Sequence, residues 1–187
     1  PGYLEQPRLD WPWDTHEVWY FTGGPHGGWD SGSAWAAVDF APPADQKGCH
    51  PAPVWVRAAA DGQVVRSAEG AVVQDFDGDG QEQTGWTLLY MHIATSERVA
   101  AGQQLQAGDL IGHPSCEGGF SNATHLHFAR RYNGVWISAD DPRAPLDLDG
   151  WVIESAGREY DGWLVKGDDW LEAWDAPGDI NSITVSP

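Results

Sequence analysis

Glycine and proline punctuate this chain so often that a long helix has no room to form. With 23 Gly and 13 Pro among 187 residues, each apolar run is stopped within a few positions by a residue that favours turns. The runs that survive have the length of strands. They fall at Val18–Thr22, Ala36–Phe40, Val54–Ala58, Gln63–Arg66, Ala71–Val73, Trp86–Ile93, Asp109–Gly112, roughly 124–131, and Val135–Ile137. Asp61-Gly62 and Asn133-Gly134 are two-residue hairpin signals. Regular turn spacing of this kind predicts an all-β fold, an antiparallel sheet or sandwich of short strands. Residues 1–17, irregular and bearing Pro and Trp, read as an N-terminal arm. Residues 18–187 read as a single domain that includes further short strands around Trp151 and Trp163.

Charge excludes two classes of partner. Ten Lys and Arg stand against 28 Asp and Glu, a net charge of -18. Nucleic-acid binding needs a basic patch, and anionic membrane surfaces attract basic segments, so neither is expected. No apolar run approaches the length that spans a bilayer. The chain as it stands opens on Pro1-Gly2-Tyr3 rather than on a basic and apolar leader. Cys49 and Cys116 suit one disulfide in an exported protein, which would fix the loop before residue 124, or two free thiols in a reducing compartment. Neither sits in a CxxC pair, so a cysteine-based zinc site is not expected.

The chemistry concentrates at His125-Leu126-His127-Phe128. In a strand, residues i and i+2 share a face. Both imidazoles then enter one space while Leu126 and Phe128 turn into packing. A neutral imidazole is both a common metal ligand and a general base near pH 7. Asp39 closes an apolar strand, where a carboxylate is unfavourable unless it is paired or bound to a cation. His26 stands thirteen residues earlier in Gly23-Gly24-Pro25-His26-Gly27-Gly28, whose glycines allow close backbone approach. His26, Asp39 and His127 offer three N/O ligands and leave a fourth position open, the pattern of a catalytic zinc site. His92, at the end of the Trp86–Ile93 strand, joins them if that strand neighbours the HxH strand. Each residue also has an ordinary reading: His26 on the surface, Asp39 paired with an arginine, His92 a hydrogen-bonded strand histidine. His16, His50 and His113 have no partner pattern, although His113 between Gly112 and Pro114 could line a cleft.

The order His…Asp…His…His-x-His resembles the lysostaphin/LytM-type zinc endopeptidases, the M23 peptidases. The thirteen-residue His-to-Asp separation after a Gly-rich loop looks most like the LasA (staphylolysin) branch. Ser115-Cys116-Glu117-Gly118-Gly119 before the HxH pair and Tyr132-Asn133-Gly134 after it add to that likeness, which spans residues 18 to 165. The resemblance implies an antiparallel β fold with long loops around a groove, with zinc held by His26, Asp39 and His127. His92 and His125 would flank the open position, one as general base and the other stabilising the oxyanion. No HExxH helix supplies a glutamate base, so a histidine must move the proton. Tyr160, in Glu159-Tyr160-Asp161-Gly162, matches a family tyrosine that donates to the oxyanion; a core tyrosine is the plain alternative. The implied protein is a monomeric, secreted bacterial endopeptidase that cuts glycine-containing bonds in peptidoglycan cross-bridges or stem peptides. Gly-rich stretches 23–35 and 113–124 suit a narrow cleft. The net charge of -18 sits poorly with anionic walls and leaves Gly-rich proteins as alternative substrates. A non-catalytic wall-binding or regulatory module is the rival, although such modules usually lose a zinc ligand.

Asp75-Phe76-Asp77-Gly78-Asp79-Gly80 is a second signal. Its alternating carboxylates and turn glycine resemble the first half of a calcium loop, with Asp75, Asp77 and Asp79 as ligands. The twelfth position is Trp86, so the bidentate glutamate is missing, although Glu82 is nearby. An acidic hairpin tip is the alternative. Trp29, Trp35 and Trp136 are candidates to line the groove.

Overall fold

The structure is a computed structural model that describes residues 4–29, 32–44 and 46–185. Pro1–Tyr3 of the expected arm, Asp30 and Ser31 of the Gly-rich stretch, and Ser186 and Pro187 lie outside the described residues. Among the described residues the backbone forms fifteen strands and no helix. They are β1 (Trp19–His26), β2 (Ala37–Ala41), β3 (Val56–Arg57), β4 (Gly62–Ala68), β5 (Ala71–Asp75), β6 (Trp86–Met91), β7 (Gln104–Leu105), β8 (Leu110–Gly112), β9 (Leu126–Tyr132), β10 (Val135–Trp136), β11 (Asp147–Leu148), β12 (Trp151–Ser155), β13 (Gly162–Lys166), β14 (Asp169–Glu172) and β15 (Ser182–Ile183). The main sheet runs β15-β1-β2-β9-β6-β5-β4-β7, with β10 added to β9. β11 to β14 form a four-stranded sheet, and β3 pairs with β8. Every pairing is antiparallel, as the turn spacing predicts.

Side-chain alternation divides the main sheet into two faces. Val38, Phe40, Leu88, Tyr90, Leu126 and Phe128 point into the larger core, which also takes Ile153 and Leu164 from the four-stranded sheet. Residues 4–17 form no strand, yet Leu9, Trp11 and Trp13 are buried in the same core, with Trp13 stacked on Trp19 at 4.7 Å. The opposite face carries a thinner apolar layer of Ala37, Ala71, Val73, Leu89, Met91 and Ala129. Asp39 and His127 lie on that second face, directly opposite each other across β2 and β9.

Several local expectations need correction. The Gly-rich segment after Thr22 is not a loop: β1 continues through Gly23-Gly24-Pro25 to His26, with register shifts on either side of Gly23. A Cβ at Gly23 would lie 2.8 Å from Asp39 Oδ2, so bare backbone is what lets β1 pass the carboxylate. Asp61-Gly62 makes no hairpin, because β3 pairs with β8 while β4 pairs with β5 and β7. The hairpin turns instead at Glu69-Gly70, both at positive φ (51° and 76°). There a Cβ on Gly70 would meet the Glu117 backbone at 2.4 Å. The Asn133-Gly134 turn forms as expected, at φ 49° and 73°.

Candidate metal centre and groove

β2 carries Asp39, β9 carries His127, and the end of β1 brings in His26. His26 Nε2 lies 3.1 Å from His127 Nδ1, and each lies 3.3 Å from Asp39 Oδ1. All three residues form one group able to hold a metal ion. The outer nitrogens fix the tautomers. His26 Nδ1 donates to Gly24 O at 2.8 Å and His127 Nε2 donates to Gly28 O at 2.7 Å. A carbonyl only accepts, so both inner nitrogens present lone pairs. Asp39 Oδ1 is buried with no hydrogen-bond donor. Three acceptors facing one another are repulsive unless a cation sits between them. Zinc bonds of about 2.0–2.1 Å at tetrahedral angles place ligand atoms roughly 3.3 Å apart. The observed triangle has that edge, so the donor set fits zinc.

The glycines make this possible. A Cβ on Gly24 would meet the Asp161 backbone at 2.6 Å, and one on Gly28 would meet the Trp136 ring at 2.7 Å. Gly24 and Gly28 are the residues whose carbonyls orient the two histidines.

His125 and His92 complete the site. His125 precedes β9 in an isolated bridge to Ser115. Its Nδ1 donates to Ala123 O at 2.8 Å, and its Nε2 lies 3.5 Å from Asp39 Oδ1. His92 follows β6 rather than ending it. It sits at φ 67°, a conformation a non-glycine residue adopts at a cost. Two donors, the backbone N–H and hydroxyl of Ser115, hold its carbonyl at 2.6 and 2.9 Å. The left-handed turn aims the ring at His125, with centroids 4.4 Å apart, while His92 Nδ1 donates to Glu117 O at 3.0 Å. Burial, then the neighbouring His125, pushes its pKa down to about 4, so His92 is neutral at pH 7. Burial works to raise the Asp39 pKa, but the neighbouring imidazoles of His125, His26 and His127 hold it well below the usual carboxylate range.

Tyr160 also reaches the site, its ring stacked on His26 at 4.2 Å. Its backbone is tied to β1 on both sides, N to Pro25 O and O to Gly24 N. Burial, then the charges of Asp39 and Glu159, raises its pKa. His113 donates to Val54 O, lies 3.3 Å from the Glu97 carboxylate and packs at a tilt against Trp55. Cys49 and Cys116 form a disulfide. It anchors the segment whose Glu117 carbonyl orients His92. Thr124, just before His125, is bound to Gly48 O and His50 O on the other arm of the bridge.

The second acidic signal is also gathered. Asp75, Asp77 and Asp79 form a group able to hold a metal ion. Each carboxylate already accepts from its own loop: Asp75 from the backbone of Asp77 and Gly80, Asp77 from Asp79, and Asp79 from Gln81 and Thr84. Glu82 turns away from them and binds Arg66 and Arg131. That salt-bridge cluster, on the same sheet face as His127 and beside Trp29 and Trp136, has no motif behind it in the sequence. Only the parity of β9, which puts Arg131 on the face of His127, hinted at it.

Comparison with known proteins matches residues 33–139 to the description "Peptidase family M23". Protease LasA of Pseudomonas aeruginosa is 37% identical over 62 residues, which cover 29% of this chain and 15% of LasA. The match therefore spans a small part of that relative's length. The structure of pseudoalterin, described as an M23 metalloprotease from the deep sea, superposes with a TM-score of 0.72 at 23% identity, over 90% of this chain and 96% of pseudoalterin. That likeness establishes the shared fold.

Proposed function

The chain belongs to peptidase family M23, and on that premise we propose that it is a secreted zinc metalloendopeptidase that hydrolyses glycine-containing peptide bonds in peptidoglycan cross-bridges or stem peptides. The observation that carries the reading is the triangle of His26 Nε2, Asp39 Oδ1 and His127 Nδ1, three acceptors in a nearly buried site with no donor between them. His26, Asp39 and His127 would hold zinc, which when bound polarises the scissile carbonyl and acidifies water.

The surrounding residues supply the rest. His125 accepts the proton of the attacking water at Nε2, and the imidazolium so formed lies beside the Asp39 carboxylate, which favours its charge. Ala123 O keeps the His125 ring in the required tautomer. His92 stays neutral and holds the opposite side of the water site through its own Nε2, its ring fixed by Glu117 O. Tyr160, stacked on His26, offers its hydroxyl to the carbonyl oxygen as negative charge develops there. The disulfide accords with an oxidising, extracellular compartment. Among the described residues no helix is long and apolar enough to cross a membrane.

Elemental analysis paired with cleavage assays tests this. About one zinc per chain is expected, with hydrolysis of glycyl peptides or wall sacculi that a chelator stops and zinc restores. Full turnover by zinc-free protein, or no cleavage of any glycyl or wall substrate after zinc resupply, would overturn it.

A further inference from the structure

We propose that the outer face of the four-stranded sheet, where Trp163, Trp170 and Trp174 interleave with the carboxylates of Glu154 and Glu172, docks a lysine-bearing polypeptide segment. None of these residues belongs to the metal centre, so the surface is independent of the peptidase reading.

The pairing register fixes which side chains share the face. Ile153, Leu164 and Leu171 turn inward onto the large core. Alternation then sends Val152, Glu154, Trp163, Val165, Trp170 and Glu172 outward. Trp163 stands directly opposite Glu154 on one neighbouring strand and Glu172 on the other, and Val165 stands between Val152 and Trp170. Pairs of this kind hold their Cβ atoms about 5 Å apart. Beyond β14 the alternation persists, with Ala173 buried and Trp174 turned out. Along this edge Glu172 therefore has an indole about 7 Å away on either side. The solvated face of an antiparallel sheet is ordinarily polar. Here Trp170 and Trp174 are 57% and 54% exposed, and exposed aromatic area gathered on one face marks an interaction surface.

Charge selects the occupant. Among the described residues neither the Glu154 nor the Glu172 carboxylate accepts a hydrogen bond or meets a cation. Residues 151–174 carry only two basic side chains, and both are engaged elsewhere: Arg158 with Asp161 at 2.6 Å and Lys166 with Asp149 O at 2.7 Å. A lysine ammonium answers both features of the face, since it is attracted to an indole ring and to a carboxylate beside it. Its aliphatic stem covers apolar surface such as Val165. A neutral sugar would stack on the indoles and leave both charges unanswered. The chain's net charge of -18 draws the same kind of partner from a distance.

The test is calorimetry on the purified full chain with three probes: a peptide alternating Lys and Gln, the same peptide with every lysine acetylated, and a neutral chito-oligosaccharide. The lysine peptide is expected to bind, more weakly as salt rises, and acetylation should cost at least about tenfold because it removes the charge. Trp170→Ala and Glu172→Gln should each lower affinity about two- to fivefold, the scale of one exposed cation–π or ion-pair contact, and together about tenfold. Trp170 is largely in solvent, so unchanged thermal unfolding should accompany its replacement. Asp79→Asn removes the same charge from the β5–β6 loop of the main sheet and should leave affinity nearly unchanged. Equal losses from Glu172→Gln and Asp79→Asn would mean diffuse attraction to an acidic chain and overturn the proposal. No binding of the lysine peptide, equal binding of its acetylated form, or affinity indifferent to Trp170→Ala would overturn it too. So would tighter binding of the oligosaccharide, which would assign the face to a glycan.

Discussion

Among the described residues, two groups have the residue types of a metal site, and they differ in where their acceptors point. At His26, Asp39 and His127 the outer atoms are satisfied by Gly24 O and Gly28 O, so the inner atoms are left facing one another. At Asp75, Asp77 and Asp79 the carboxylates accept from the loop's own amides and from Thr84, so the loop stabilises itself. Charge follows the same division. Burial raises the Asp75 pKa, and the neighbouring Asp77 and Asp79 charges add to the effect. The histidines around Asp39 overcome burial and lower its pKa. A set of ligands becomes a site when the fold satisfies everything except the atoms that meet the ion.

The largest expected contrast comes from deleting one carboxylate in each group. Asp39→Ala should bring both zinc content and hydrolysis to background, whereas Asp77→Ala should leave both near wild type. Elemental analysis with a glycyl-peptide assay checks the pair, and equal losses would erase the distinction. Next in size is His125→Ala, expected to lower kcat about 10²- to 10⁴-fold while zinc stays bound, because a proton acceptor is lost and a ligand is not. If zinc leaves with it, His125 belongs among the ligands.

Smaller effects are expected from the glycines. Gly28→Ala pushes against Trp136 and displaces the carbonyl that orients His127, so zinc affinity should fall about 10- to 100-fold, as measured by competition with a chelator. Gly78, at φ 74°, has nothing within 4 Å of its would-be Cβ. Its replacement by Ala should cost only about 1 kcal/mol of strain in thermal unfolding and leave hydrolysis intact. Smallest of all is calcium. A loop that binds its own amides should take the ion only in the range of about 0.1–1 mM, and micromolar binding by calorimetry would place the two groups on an equal footing.

Much of this was legible in the sequence because it follows from spacing. The HxH pair in a strand pattern, an aspartate ending an apolar strand and a histidine among glycines identified the residues that converge. Turn spacing gave the antiparallel all-β class. What could not be read was how far each element runs. β1 continues through Gly23-Gly24-Pro25 because Asp39 stands against it, a contact between strands that local glycine content does not reveal. The Glu69-Gly70 turn was missed for a related reason: the chain must pass close to Glu117 at that point.

The sequence by itself determined the ligand types, their order and the class of strand that presents them, since residue chemistry and side-chain period are local properties. Only the tertiary structure decided which acceptors remain unsatisfied, that His92 is aimed by a left-handed turn, and that Glu82 binds arginines instead of completing an acidic loop. Those outcomes depend on which backbone carbonyls and charges arrive from strands distant in the chain, and no local pattern encodes them.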